Sequence, residues 1–417
     1  MTRYSLALAA LLTTTPLTTA DPWSYLSVDI PTPLSDMAVS SMTITANNST
    51  EQKIILTGGC VSEKGNEFLG DYYACLEITD KAYTFEPIAP KTQFQAWTGT
   101  FTALPNMPRE RNRHASVQIN DKLCVIGGRD GSDTLLGPID CYDFDSETWT
   151  EVGSIPEEYQ TSDFAAYVDG TTVHMIGGYN AIYEALSQVT LMDMEDLENI
   201  TFEEGVPIDT PRGDISAVEA GENKILISGG FTHLNDFSTP LFSVEQFDLE
   251  SGTWGPVDAL NEERGDKQLV NLNGKIYAIG GEGRVDASGP VVRDEVFFIN
   301  AAKQGSIVLD TVEVLDLTTD GDVEWMTHGD LPASLFRFAA IGWKGDGEDD
   351  GVIFVFGGQV GFEAECECFR TTEKVMVFDP SQSEAVRQAA APSGGVTFSA
   401  VVGHVAAVVA IVTMMLA

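Results

Sequence analysis

The sequence predicts an all-β fold: six four-stranded sheets set radially around an axis, a six-bladed β-propeller. Three observations predict it. Six apolar runs end in a di-glycine, at Gly58-Gly59, Gly127-Gly128, Gly177-Gly178, Gly229-Gly230, Gly280-Gly281 and Gly357-Gly358. Their spacings are 69, 50, 52, 51 and 77 residues, so one unit recurs with two lengthened intervals. Turn-forming residues stand just ahead of most of the runs.

The runs, such as Ile54-Ile55-Leu56 and Ile353-Phe354-Val355-Phe356, are apolar at successive positions. That is the pattern of a strand buried on both faces. Asn120-Asp121, Asp169-Gly170, Glu222-Asn223 and Asn273-Gly274 precede four of them. These residues tolerate positive φ and favour tight hairpins, so an inner strand lies upstream, for example over 114–119 and 268–272. The glycine pair removes side chains where the backbone bends or is closely approached. A third strand reads over 140–145, 244–249 and 312–317, and an aromatic opens the fourth: Trp149, Trp254, Trp325, or Phe202 in the third unit. After Gly357-Gly358 one strand remains, over 373–379, with no Trp-led strand behind it. Trp23-Ser24-Tyr25-Leu26 reads as the missing piece. The N-terminal segment is therefore expected to complete the sixth sheet and remove its edge.

These units resemble kelch repeats, of the galactose oxidase/kelch-type superfamily, over residues 21–380. The pattern is an Arg, an apolar strand, a turn, a strand ending in Gly-Gly, an aspartate-bearing strand and a Trp. Arg111 and His114 before Gly127-Gly128 fit it; Arg212, Arg264 and Arg337 match the Arg position, and Thr161 replaces it in the third repeat. Propellers similar to galactose oxidase hold copper through two His and two Tyr. Here His114, His174, His233, His328 and His404 fall in different repeats or in the tail, so no metal and no cofactor is expected. Propellers resembling sialic acid epimerases act through carboxylate and basic groups, and no spacing here picks out such a pair.

The chain ends give an address. Residues 1–20 carry Arg3, an apolar stretch over 6–12 and a small-residue finish at Ala20, the pattern of a secretory signal peptide. A linker follows the propeller over 381–395, and then an apolar tail over 396–417. Small residues before a terminal apolar tail fit a GPI-attachment signal, with Ser393 or Gly394 as the lipid-anchor site; a single membrane span is the alternative. Six cysteines suit an oxidising compartment. Cys60 with Cys75, and Cys124 with Cys141, sit where neighbouring strands bring them into disulfide reach. Cys366 and Cys368 could bridge each other or another chain. Glycosylation sequons stand at Asn47, Asn48 and Asn199.

With 63 acidic residues against 23 basic and a net charge of −40, the surface excludes broad nucleic-acid binding. Membrane contact is left to the C-terminal anchor, and the propeller is expected to be monomeric. Recognition is expected on the face that carries the loops between second and third strands: residues 60–72, 129–138, 179–187, 231–241, 282–308 and 359–372. Candidate ligand-binding residues there are Arg129, Asp130, Tyr179, Tyr183, Phe231, His233, Arg284 and Arg293. Arg212-Gly213-Asp214 and Arg264-Gly265-Asp266 spell an adhesion tripeptide, but the repeat accounts for them structurally. The acidic turn 346–350 lacks the spacing of a calcium loop. The first functional expectation is an extracellular binding module at the cell surface, or secreted, that recognises protein or glycan. The alternative is a secreted enzyme acting on a carbohydrate or small metabolite.

Overall fold

Each di-glycine run is the second strand of a four-stranded antiparallel sheet, and the described residues form six such sheets. The computed structural model describes residues 22–381, except 47–48, 62–65, 69–72, 76, 92–94, 235–236, 285–305, 320–322, 346–350 and 364–367. The propeller unit is Trp23–Asp379; the second unit, Met1–Pro22 with Pro380–Ala417, falls almost wholly outside the described residues. The leader, the tail with Ser393 and Gly394, Asn47, Asn48, Arg293, Cys366 and the turn 346–350 likewise lie outside them.

Blade 2 has the plainest form: Ala115–Ile119, Lys122–Ile126, Pro138–Asp143 and Thr148–Ser154, each paired with the next. Blades 3, 4 and 5 open on Ala165–Asp169, Ala217–Glu219 and Gln268–Leu272, and blade 1 on Ala38–Ala46. The inner hairpins turn as their residues require, with Asn120, Asn223 and Asn273 at φ of 52°, 59° and 54°. Blade 6 contains Ala339–Trp343, Val352–Phe356, Val375–Phe378 and, from the other end of the chain, Trp23–Tyr25. The N-terminal strand pairs antiparallel with Val375–Phe378, with Trp23 opposite Phe378. Their rings are 5.1 Å apart and Trp23 is buried.

The apolar core lies in the seams between blades rather than on the axis. Six clusters of buried side chains each draw on two adjacent blades; one joins Val270 and Tyr277 of blade 5 to Val355 and Phe378 of blade 6. Strand-four tryptophans fasten the same seams. The indole N–H of Trp149, Trp254 and Trp325 donates to the backbone oxygen of Pro105, Val206 and Asp258 in the preceding blade, at 2.8 to 3.0 Å. Trp97 does the same for blade 1, donating to Asp379 Oδ2 at 2.9 Å.

The kelch arginine is a buried ion-pair residue. Arg111, Arg212 and Arg264 are fully buried and meet Asp140, Glu245 and Glu313 at 2.6, 2.5 and 2.8 Å. They also donate to the oxygen of the first glycine of their own pair. Arg337 does not belong to this set. The carbonyl of the arginine slot accepts the N–H of the preceding blade's second glycine, and in the last blade that carbonyl is Leu335's (2.8 Å). Where the slot holds Leu335, the acid position opposite Val355 holds Met376; where it holds Thr161, the position opposite Met175 holds Thr190. Arginine and acid are lost together, as expected when either charge alone would be stranded in the interior.

The stretches after the di-glycine also differ from simple loops. Four of them form hairpins: Asn66–Phe68 with Tyr73–Cys75, Phe231–Leu234 with Phe237–Pro240, Glu282–Arg284 with Ser306–Val308, and Gln359–Glu363 with Cys368–Thr371. Disulfides join Cys60 to Cys75 and Cys124 to Cys141, with Cα atoms 5.7 and 4.1 Å apart.

Two outcomes follow in urea unfolding. Trp23→Ala empties the closing contact and lowers stability by about 3–5 kcal/mol; a loss below ~1 kcal/mol would show that the N-terminal strand does not hold the ring. Arg264→Met strands Glu313 and costs about 3–5 kcal/mol, whereas Arg264→Leu with Glu313→Met recovers much of it, because blade 6 is built that way.

Candidate functional site

Three residues lead into every first strand: Leu34-Ser35-Asp36, Arg111-Asn112-Arg113, Thr161-Ser162-Asp163, Arg212-Gly213-Asp214, Arg264-Gly265-Asp266 and Leu335-Phe336-Arg337. The last residue of each is left-handed, with φ between 51° and 56°. Successive backbones hold them there. The N–H of Asp36 donates to Arg337 O, Arg113 to Asp36, Asp163 to Arg113, Asp214 to Asp163 and Arg337 to Asp266, at 2.9 to 3.0 Å. These bonds join every neighbouring pair in this belt except Asp214 and Asp266, and they over-determine a conformation that L residues otherwise avoid. Six charged side chains converge inside the belt.

Four are acids and two are arginines, placed unevenly. Arg113 Nε lies 3.4 Å from Asp36 and 3.6 Å from Asp163; Arg337 Nε lies 3.0 Å from Asp266 and 3.9 Å from Asp36. Asp214 forms no ion pair among the described residues and accepts the Tyr179 hydroxyl at 2.8 Å. Burial, with Asp266 and Asp163 beside it, pushes its carboxyl well above the usual carboxylate range. Burial also raises Asp163, against the pull of Arg113. Both arginines are held well above their ordinary range, since the surrounding carboxylates outweigh desolvation.

A second tier fixes the acids. Arg129 Nε donates to Ser162 Oγ (2.9 Å), which donates to Asp163 (2.8 Å). Gln359 donates to Ser35 Oγ (3.2 Å), which donates to Asp36 (2.7 Å). Gly213 replaces the serine in blade 4 because a Cβ there would stand 2.3 Å from the Tyr179 ring. That gap lets the tyrosine reach Asp214 directly.

Above this belt the face is lopsided. The hairpins of blades 4, 5, 6 and 1 run alongside one another in that order. Blades 2 and 3 instead carry tight turns in which Asp130 Oδ1 accepts the N–H of Ser132 and Thr134, and Asn180 Oδ1 accepts those of Ile182 and Glu184. The result is a wall over four blades and a low floor over two. Tyr183 centres the floor: its ring lies 3.8 Å from the Arg129 guanidinium, its hydroxyl donates to Asp133 (2.6 Å), and Arg113 donates to it (3.2 Å). Ile182, in the same turn as Asn180, is 74% exposed.

The expected ligand residues divide accordingly. Arg129 and Tyr179 are buried and committed to the belt. Asp130 and Tyr183 lie on the floor, and Asp130 also lines a cleft between blades 1 and 2 with Asp80, Arg109 and Glu110. Phe231 covers Gly265, and His233 is exposed on the blade 4 hairpin, 6.3 Å from the Tyr179 ring. Arg284 falls in the blade 5 hairpin. Sequence reasoning missed the belt itself, although its signal was present: a charged residue two positions after each arginine slot. The two adhesion-like tripeptides are this signal, since their aspartates are belt members. Among the described residues, no three His, Cys, Asp or Glu side chains stand close enough to hold a metal ion.

Fold and belt together define the class: a six-bladed β-propeller of kelch repeats. Residues 41–281, more than half of the chain, match the KLHDC2/KLHL20/DRC7 Kelch-repeats domain, and the chain belongs to that family. It is similar to Kelch-like protein 40 of Xenopus tropicalis, 28% identical over 192 residues, covering 45% of this chain and 30% of that protein. It is similar to alpha-scruin of Limulus polyphemus, 25% identical over 52% of this chain and 24% of that protein. Kelch-like protein terF of Aspergillus terreus is 24% identical over 70% of this chain and 57% of its own length. The chain thus spans about a third or less of the first two relatives. The solved structure of YjhT superposes with a TM-score of 0.58 at 12% identity, covering 85% of this chain and 97% of that one, a likeness of fold.

The belt makes its aspartates unequal. Asp266→Asn leaves Arg337 short of its nearest partner and costs about 1–3 kcal/mol, while Asp214→Asn is neutral or stabilising at pH 7. Asp214 is raised in the folded state, so its contribution is complete below the ordinary carboxylate range and is lost as pH rises through the raised value. Urea titrations across pH should therefore show a flatter decline in Asp214→Asn than in the wild type; identical curves would refute the assignment.

Proposed function

We propose that this kelch propeller is a binding module that grips a segment of a partner protein on its lopsided face, between the hairpin wall and the blade 2–3 floor. The observation that carries this reading is the asymmetry: neighbouring hairpins from four blades enclose one side, and Tyr183, Asp130, Asp133 and Ile182 form an open approach on the other. A rigid scaffold with one built-up face suits recognition. The chemistry favours a basic segment. The belt holds four aspartates against two arginines, Asp133 is partly exposed, and the whole chain carries −40. The family supports the binding-module class.

The location we propose is the secretory pathway and the cell surface, by a GPI anchor or a single span. It rests on the leader over 1–20, the tail over 396–417 and two disulfides of a kind that persist in oxidising compartments. Asn199 is the described sequon; it is exposed, and its Nδ2 donates to Asp196 at 2.7 Å in the outer turn of blade 3, away from the binding face.

Panning a displayed 12-residue peptide library on the full chain tests the site. Enriched peptides should be basic, lose at least tenfold in affinity to Asp133→Lys or Ile182→Arg, and keep their affinity for Glu151→Lys on an outer strand; insensitivity to the first two variants would remove the site from this face. Expression in a secreting host tests the location. Phosphatidylinositol-specific phospholipase should free the protein from intact cells, and Asn199→Gln should remove one glycosidase-sensitive mobility shift. Recovery of the chain solely from the cytosol would overturn this part.

A further inference from the structure

We propose that Lys267 makes the seam between blades 4 and 5 acid-sensitive: the seam closes on a neutral amine and loosens around an ammonium. The case begins with geometry. The residue after each belt member packs against the first glycine of the preceding blade's pair. A Cβ on Gly58, Gly127, Gly177, Gly280 or Gly357 would stand 2.7 to 3.3 Å from His114, Phe164, Ile215, Phe338 or Met37. Gly229 faces the Lys267 Cε atom in the same way, at 3.1 Å. Four of the six slots are therefore apolar and two are titratable.

The two titratable slots are resolved differently. His114 Nε2 hydrogen-bonds Thr57 Oγ1 of the preceding blade at 2.9 Å, and burial keeps the ring neutral. Lys267 is 1% exposed and, among the described residues, its Nζ has no hydrogen-bond partner. Ser228, which stands where blade 1 has Thr57, is fully buried, and its hydroxyl also lacks a partner among the described residues. A fully buried ammonium with no acceptor is among the costliest groups an interior can hold.

The surrounding charges do not rescue it. From its own linker Lys267 faces Arg264 and Asp266, and from the blade 4 linker it faces Arg212 and Asp214. Glu313 and Glu245 are taken up by Arg264 and Arg212, Arg337 holds Asp266, and Tyr179 caps Asp214. Burial first, then Arg264 and Arg212, bring the amine down to about 7, against the pull of the two aspartates. The unfolded chain protonates near the ordinary lysine value of 10.5. Between those values the unfolded state holds one more proton, so stability rises with pH by up to about tenfold in the unfolding constant per unit. Below about 7 both states are protonated and the full cost of the buried charge remains.

The test is urea unfolding of the full chain at pH 7.5 and 9.5. The wild-type unfolding constant should fall by up to about 100-fold more across this range than that of Lys267→Met. Methionine is the substitute that Met37 already provides in the equivalent slot. Parallel responses of the two proteins would overturn the proposal. Should Lys267→Met fail to fold, hydrogen exchange on the wild type decides. The Gly230 N–H crosses this seam to Arg264 O at 2.9 Å. Its protection, corrected for intrinsic exchange, should rise at least fivefold between pH 7 and 9; a flat profile would sink the idea.

Discussion

One backbone hydrogen bond, made six times, sets the architecture. The second glycine of each pair donates to the carbonyl of the next blade's arginine slot: Gly59 to Arg111, Gly128 to Thr161, Gly178 to Arg212, Gly230 to Arg264, Gly281 to Leu335 and Gly358 to Leu34, at 2.7 to 3.1 Å. The approach is too close for any side chain. A Cβ on Gly58 would lie 2.3 Å from Arg111 O, and its φ of 57° is one that few other residues accept. Because the bond runs from blade to blade, each sheet is positioned by its neighbour, and the apolar clusters, tryptophan fasteners and belt fall into seams that repeat.

Repetition of the backbone has not required repetition of the chemistry. Blades 2, 4 and 5 support their di-glycine with a buried arginine and acid, blade 3 with two threonines and blade 6 with leucine and methionine. The packing slot beside the belt holds Met, His, Phe, Ile, Lys and Phe around the ring. The scaffold tolerates this range because the slot's shape is set by main chain. Polar choices there are costly and local, and two of the six seams carry a titratable side chain, His114 and Lys267, in this slot.

The fold was legible because its signals are backbone signals. Di-glycines, Asn-containing turns and doubly buried strands appear at fixed spacing, and the gap after residue 379 matched the surplus strand at Trp23. Arg337 was misassigned because identity was read without register: it is one member of the charged belt, and Leu335, with no charge to draw the eye, fills the arginine slot. The belt was hidden for the same reason. Asp36, Arg113, Asp163, Asp214, Asp266 and Arg337 are unlike in type and share only a conformation. Candidate residues chosen for lying after a di-glycine mixed two populations, since that position both supports the axis, as Arg129 and Tyr179 do, and leads into the exposed hairpins, as Phe231 and His233 do.

The closing strand pair gives the molecule a mechanical character. Trp23 and Phe378 face each other at one end of a short antiparallel ladder, so both ends of the propeller leave from the same point. Tension applied through the termini would part that ladder one rung at a time, as a zipper opens, instead of shearing all its bonds together. The sheet that seals the circle is therefore the one on which such a load falls directly.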